Sequence, residues 1–224
     1  MANHLNLEEQ EQLDQVKHFW ARYGNAITWV LILVLGAVAA WNGWNYWQRS
    51  QATQAAALFD EMERAASAKD AERMERALAQ MKDRFASTTV AAQSGLLAGK
   101  TLFEAGKPDG ARAALTWVVD KAPDDAYKTV ARLRLVALDM EAKAYDQALK
   151  TLEAPAPKAF GPLVSDRRGD VFMAQGKTEE AKAQYQDAWR GLDEQVEYRR
   201  LVEVKLAALG VSVASLSSST EVAR

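Results

Sequence analysis

Between Arg22 and Arg49 the chain carries no charged residue, and the run from Ala26 to Trp41 is almost wholly apolar. Extended through Trp47, it reaches the roughly 20 residues a helix needs to cross about 30 Å of hydrocarbon. Aromatic side chains bracket the run, with Phe19, Trp20 and Tyr23 before it and Trp41, Trp44, Tyr46 and Trp47 after it. Rings with a polar edge settle at headgroup level, so Trp20, Tyr23, Trp41, Trp44 and Trp47 are the expected membrane-interface residues. The pattern predicts a transmembrane helix over residues 24–48. No other feature constrains the fold as much, because a retained span confines the rest of the chain to one membrane surface.

Two other readings compete. A buried core helix rarely runs this far without a charge. A cleavable signal peptide is the stronger rival, since Ala37-Val38-Ala39 has the small-x-small form of a cleavage site. Against it stand the long preceding region with four acids and the aromatics that continue past the supposed cut. Charge leans toward an inside N-terminus by a single residue, Lys17 and Arg22 preceding the span against Arg49 after it, and a bias that small decides little. Residues 1–23 read as an amphipathic helical segment, with Leu5, Leu13, Val16, Phe19 and Trp20 set among acids and glutamines.

Composition narrows the function. Once Lys17, Arg22, Glu8, Glu9, Glu11 and Asp14 are set aside, the chain beyond Trp47 holds 26 basic and 26 acidic residues, so it has no general pull on nucleic acid. The absence of cysteine excludes disulfides, thiolate catalysis and cysteine-based zinc sites. Both histidines, His4 and His18, precede the span, which leaves the large domain without the commonest metal ligand and general base. Asp124-Asp125 follows Pro123 and opens a helix, where an acid caps free amides rather than catalysing. Gly95-x-x-x-Gly99 lies inside a helix and reads as close packing, not a phosphate loop. No catalytic, cofactor or metal residue is expected, and the reading is that of a binding protein.

After the span nothing alternates with a strand's period of two, and the fold class is all-α. Breaks at Ser67–Asp70, Ala86–Thr89, Gly106–Asp109, Ala122–Asp125, Pro155–Pro162 and Gly176–Thr178 leave helices of two to four turns, which pair as hairpins. Gly106-Lys107-x-x-Gly-Ala111 and Gly176-Lys177-x-x-Glu-Ala181 are one phrase, with a looser copy from Lys143 to Ala148. The alanines at 77, 111, 148 and 181 are spaced by 34, 37 and 33 residues, and Leu115, Leu152 and Tyr185 stand four positions past the last three.

This period resembles the tetratricopeptide repeat (TPR), a helix-turn-helix unit of about 34 residues. Gly99 and Gly169 meet its small position, with Ala111, Ala148 and Ala181 as further packing residues and Pro123 as its closing proline. The middle unit departs from the pattern: Val136 occupies the small position, and Pro155 falls where the second helix should continue. The reading is a TPR-like α-solenoid of four hairpins over residues 49–210, the first spanning about 50–86. A capping helix from about Glu194 to Leu209 follows, then a disordered serine-rich tail over 211–224. The inner face of such a solenoid usually takes the partner. Mapped here, the inner positions fall on Leu96, Lys100, Phe103, Leu133, Ala137, Met140, Asp166, Asp170 and Met173. Phe103, Met140 and Met173 are equally consistent with core packing.

The layout as a whole resembles the ancillary SecYEG translocon subunit family of Gram-negative bacteria. The likeness rests on Phe19-Trp20-Ala-Arg-Tyr-Gly24-Asn25, Gly43-Trp44-Asn45-Tyr46-Trp47, Leu133-Arg134-Leu135, Ala148-Leu149-Lys150-Thr151-Leu152 and Val164-Ser165-Asp166-Arg167-Arg168-Gly169-Asp170, in that order. The resemblance implies a single-pass inner-membrane protein with a cytoplasmic N-terminal segment and a periplasmic C-terminal domain. It also implies association with the SecYEG translocon, with a membrane-anchored periplasmic chaperone of the peptidyl-prolyl isomerase type, and with secreted or nascent polypeptides. The alternative is an envelope scaffolding or stress-signalling adapter that binds a cytoplasmic factor through its N-terminal segment.

Overall fold

The computed structural model describes residues 7–213; the first six residues and the tail from 214, where most of the serine-rich stretch falls, lie outside the described residues. Two compact units divide between Gln51 and Ala52. Helix α1 (Leu7–Ser67) begins in the first and ends in the second without interruption. The sequence suggests a boundary at residue 23 and another near 49, but no proline falls there, and isolated Gly24, Gly36 and Gly43 lower helix propensity by only about 1 kcal/mol each.

Between Ala26 and Trp41 α1 is almost wholly apolar and uncovered. Trp29, Leu33, Leu35 and Trp41 are each between 65% and 72% exposed. A helix that is apolar all round needs an apolar environment all round. Among the described residues α1 is the one helix long and apolar enough to cross a membrane. Trp20 and Trp41 are separated by about 32 Å of helix, which matches a hydrocarbon core. The rings cluster at both ends, Phe19 with Tyr23 at 5.1 Å and Trp44 with Trp47 at 5.4 Å between centroids.

The second unit is a right-through series of hairpins. The end of α1 pairs with α2 (Ala71–Arg84), α3 (Thr89–Glu104) with α4 (Pro108–Lys121), α5 (Asp125–Glu141) with α6 (Tyr145–Leu152), and α7 (Gly161–Ala174) with α8 (Thr178–Gly191). Helix α9 (Glu197–Ala208) caps the series. Side-chain caps start the helices where the sequence offers them: Asp70 accepts from the Arg73 amide at 2.9 Å, Thr88 from Ala91 at 3.1 Å and Asp124 from Ala126 at 2.7 Å.

The repeat is written most clearly in the turns. Each hairpin's first helix, and α9 after them, ends on a residue with left-handed backbone: Lys69, Gly106, Lys143, Gly176 and Gly210, with φ between +53° and +75°. In every case the next amide returns to the carbonyl five residues back, as Lys107 does to Leu102 at 2.8 Å and Ala144 to Asp139 at 2.7 Å. Three glycines adopt this conformation freely. Lys69 and Lys143 adopt it at a steric cost of about 1 kcal/mol each.

Small-to-large packing joins the helices within a hairpin. Ala111, Ala148 and Ala181 are fully buried. A Cβ built on Gly99 would stand 2.7 Å from Leu115 Cγ, and one on Gly169 2.5 Å from the Tyr185 ring. In the middle hairpin Val136 takes the glycine's place and packs with Ala148, Leu152 and Val171. There α6 stops at Leu152 because Pro155 and Pro157 cannot continue it. The chain that follows is pinned by Arg132, which donates to the Pro155 carbonyl at 2.7 Å, and by Arg168, which donates to the Leu152 carbonyl at 2.9 Å.

Candidate protein-binding groove

Successive first helices leave a furrow between them when small residues on one side let the next hairpin sink in. Gly99, Lys100 and Phe103 of α3, Leu115 of α4, and Arg134, Ala137, Leu138 and Glu141 of α5 enclose such a furrow of about 280 Å³. A second hollow of about 600 Å³ adjoins it at the α3–α4 turn, sharing Phe103, Leu138 and Glu141 and reaching Pro108, Asp109 and Arg112. The floor is apolar, and Phe103 is 37% exposed on it, so a large ring faces the opening rather than the core. This combination of an apolar floor, an open ring and charged rims makes the furrow a candidate binding groove.

The rims differ in charge state. Lys100 reaches Glu104 at 3.8 Å, with both side chains more than half exposed, a contact worth little in water. Arg112 binds Asp139 at 2.7 Å, and Asp139 is only 2% exposed, so this pair is structural. Its second carboxylate oxygen is buried without a hydrogen-bond partner. Arg134 donates one Nη1 bond to the Leu96 carbonyl at 2.6 Å. Among the described residues no carboxylate stands within ion-pair distance of it, and partial burial lowers its pKa.

Of the residues expected to line one groove, Lys100, Phe103 and Ala137 do so together. Leu96 is buried behind them, contributing its carbonyl to Arg134. Leu133 and Met140 lie on the other side of α5, packed against the Val136–Ala148 core. Asp166 and Asp170 are corrections to a groove role, because α9 covers them. Asp166 is fully buried and accepts from Tyr198 Oη at 2.5 Å and from Lys205 Nζ at 2.7 Å. Asp170 accepts from the same Nζ at 2.6 Å, from Tyr185 Oη at 2.8 Å and from Arg167 at 2.8 Å. Desolvation, then hydrogen bonding to Asp170 and Asp166 respectively, raises the pKa of Tyr185 and Tyr198 far above the usual phenol range. Met173 remains 38% exposed outside the furrow. Arg134, Leu138 and Glu141 are lining residues that the repeat register passes over. Their signal is their own spacing, which puts 134, 138 and 141 on one face of α5.

Among the described residues no cluster of His, Asp and Glu could hold a metal ion. The fold defines a class: a helical-repeat protein built of paired helices, carrying among its described residues one helix long and apolar enough to span a bilayer. A family model described as a tetratricopeptide repeat-like domain matches residues 17–211. A Neisseria gonorrhoeae protein named ancillary SecYEG translocon subunit is 32% identical over 93% of this chain and all of its own length. Proteins of the same name from Escherichia coli and Haemophilus influenzae are 26% and 25% identical, covering 80% and 82% of this chain and 85% and 89% of theirs. The chain belongs to the ancillary SecYEG translocon subunit family, a non-enzymatic, protein-binding group.

Proposed function

We propose that this chain is an inner-membrane, single-pass subunit that associates with the SecYEG translocon and holds its TPR-like domain in the periplasm. There it assists emerging polypeptides, alone or with a membrane-anchored chaperone of the peptidyl-prolyl isomerase type. The observation that carries the reading is similarity over 93% of this chain to a relative bearing the translocon-subunit name, with the uncharged, ring-flanked run lying inside the family match over residues 17–211. Physical reasoning supports it: a span confines a binding domain to the membrane surface and so raises its effective concentration beside the channel exit.

The test is affinity purification of the full chain from membranes in mild detergent. Translocon subunits are expected to co-purify, and to do so equally well when residues 1–18 are deleted. Recovery of the chain without any translocon subunit overturns the proposal. Translocon recovery that depends on residues 1–18 favours the adapter reading instead.

A further inference from the structure

The furrow between α3 and α5 and the hollow that adjoins it carry two kinds of cation. Arg112 is spent, held by Asp139 at 2.7 Å. Arg134 is not: its guanidinium is oriented by the Leu96 carbonyl, burial disfavours its charge, and no described carboxylate pairs with it. Lys100 lines the same furrow, and its bond to Glu104 is exposed and long. A partly desolvated cation without a counter-ion is unfavourable unless something supplies the charge. Below this pair lies an apolar floor with Phe103 open to solvent. Glu141 lines the same furrow about two helical turns along α5 from Arg134, so a negative group lies beyond the positive one.

We infer that this furrow docks a partner-protein segment in which an apolar side chain seats on Phe103 while a neighbouring Asp or Glu carboxylate is clasped by Arg134 and Lys100. The inference rests on the protein-binding reading above and names the segment that the groove selects. A guanidinium fixed by one carbonyl retains further N–H groups in a planar fork, the geometry that takes a carboxylate through two parallel bonds. Lys100 adds a flexible point charge beside it. Glu141 sets polarity, because it repels a second acid placed at its end. The apolar floor provides affinity and the cation pair provides selection, so uncharged apolar segments bind less well and basic ones are rejected.

The experiment uses the full chain in lipid nanodiscs and two fluorescein-labelled decapeptides, one alternating leucine with glutamate and the other leucine with glutamine, read by fluorescence anisotropy. The glutamate peptide is expected to bind about tenfold more tightly, the preference shrinking as salt rises. Lys100→Glu and Arg134→Glu should each remove that preference, and Phe103→Ala should weaken both peptides alike. Lys100 has an exposed side chain, so its variant reports on binding even if Arg134→Glu disturbs the Leu96 contact. Equal binding of the two peptides, or an unchanged preference in Lys100→Glu, overturns the inference. So does a preference that appears only after residues 214–224 are deleted, or only on dilution of a self-associated form, since the occupant is then the chain's own tail or a second copy. If the preference holds while translocon subunits fail to co-purify, the groove assignment stands and the translocon assignment falls. The reverse result removes the groove assignment alone.

Discussion

Gly99→Ala is expected to destabilise the protein although it replaces a helix-interior glycine by the best helix former. The new Cβ would lie 2.7 Å from both Cγ and Cδ2 of Leu115 and 3.3 Å from Cδ1. Carbon atoms sit comfortably at about 3.5–4.0 Å, so α3 and α4 must separate or Leu115 must move. Leu115 is 2% exposed, and because its Cγ clashes as well as a methyl, rotating the side chain's end does not relieve the contact. Overpacking of this kind costs about 1–3 kcal/mol, and the propensity gain returns about 1 kcal/mol. The net loss is about 1 kcal/mol, a fall in Tm of about 3 °C for a domain this size. Gly110→Ala is the control: its Cβ would meet Glu75 and Leu102 no closer than 3.4 Å, and the substitution should gain about 0.5 kcal/mol. The assay is thermal unfolding of the full chain in micelles, followed by far-UV circular dichroism. Leu115→Ala alone should cost about 2–5 kcal/mol, and adding Gly99→Ala in that background should cost nothing, because the methyl then fills the vacated space. Strictly additive losses, or a gain from Gly99→Ala alone, would refute the close-approach argument.

Three further predictions come from the turns and the cap. Lys143→Gly should stabilise by about 0.5–1 kcal/mol, since φ is +58° there and glycine relieves the strain at some entropic cost; equilibrium urea unfolding measures it. Lys205→Met leaves fully buried Asp166 with an uncompensated charge and should cost about 3 kcal/mol locally, seen as faster amide exchange throughout α9, whereas Lys205→Met with Asp166→Asn should recover most of the loss. For Tyr185 and Tyr198 the folded pKa lies above the unfolded one, so their contribution is complete below about pH 10 and is lost as pH rises beyond it; tyrosinate absorbance should show these two ionising only as α8 and α9 come apart.

The sequence made the long apolar helix, the all-α class and the hairpin count legible because each rests on local chemistry. An uncharged run, alanine spacing and Gly-Lys turns survive without knowledge of the fold. The middle hairpin was harder to read, because Lys143 stands where Gly106 and Gly176 mark the equivalent turns and a left-handed lysine has no sequence signature. The site was only partly legible. Register arithmetic placed Asp166 and Asp170 on an inner face, whereas the structure holds them against Tyr198 and Lys205 of α9. Their fate depends on α9, whose Tyr198 and Lys205 lie 32 and 39 residues away from Asp166, and no local pattern announces that pairing. Arg134 was visible only as part of a family motif, since an arginine's lack of a counter-ion is a three-dimensional fact.

The account depends most on an uncleaved span with the repeat domain outside the cytoplasm. The absence of cysteine allows single probes, Gln10→Cys before the span and Asp187→Cys on exposed α8, to be labelled in intact cells by a maleimide that cannot cross the inner membrane. The account predicts that position 187 labels and position 10 labels only after the membrane is disrupted, both on full-length chain that sediments with membranes. Labelling at 10 alone, or a shortened chain recovered free in the periplasm, would contradict it.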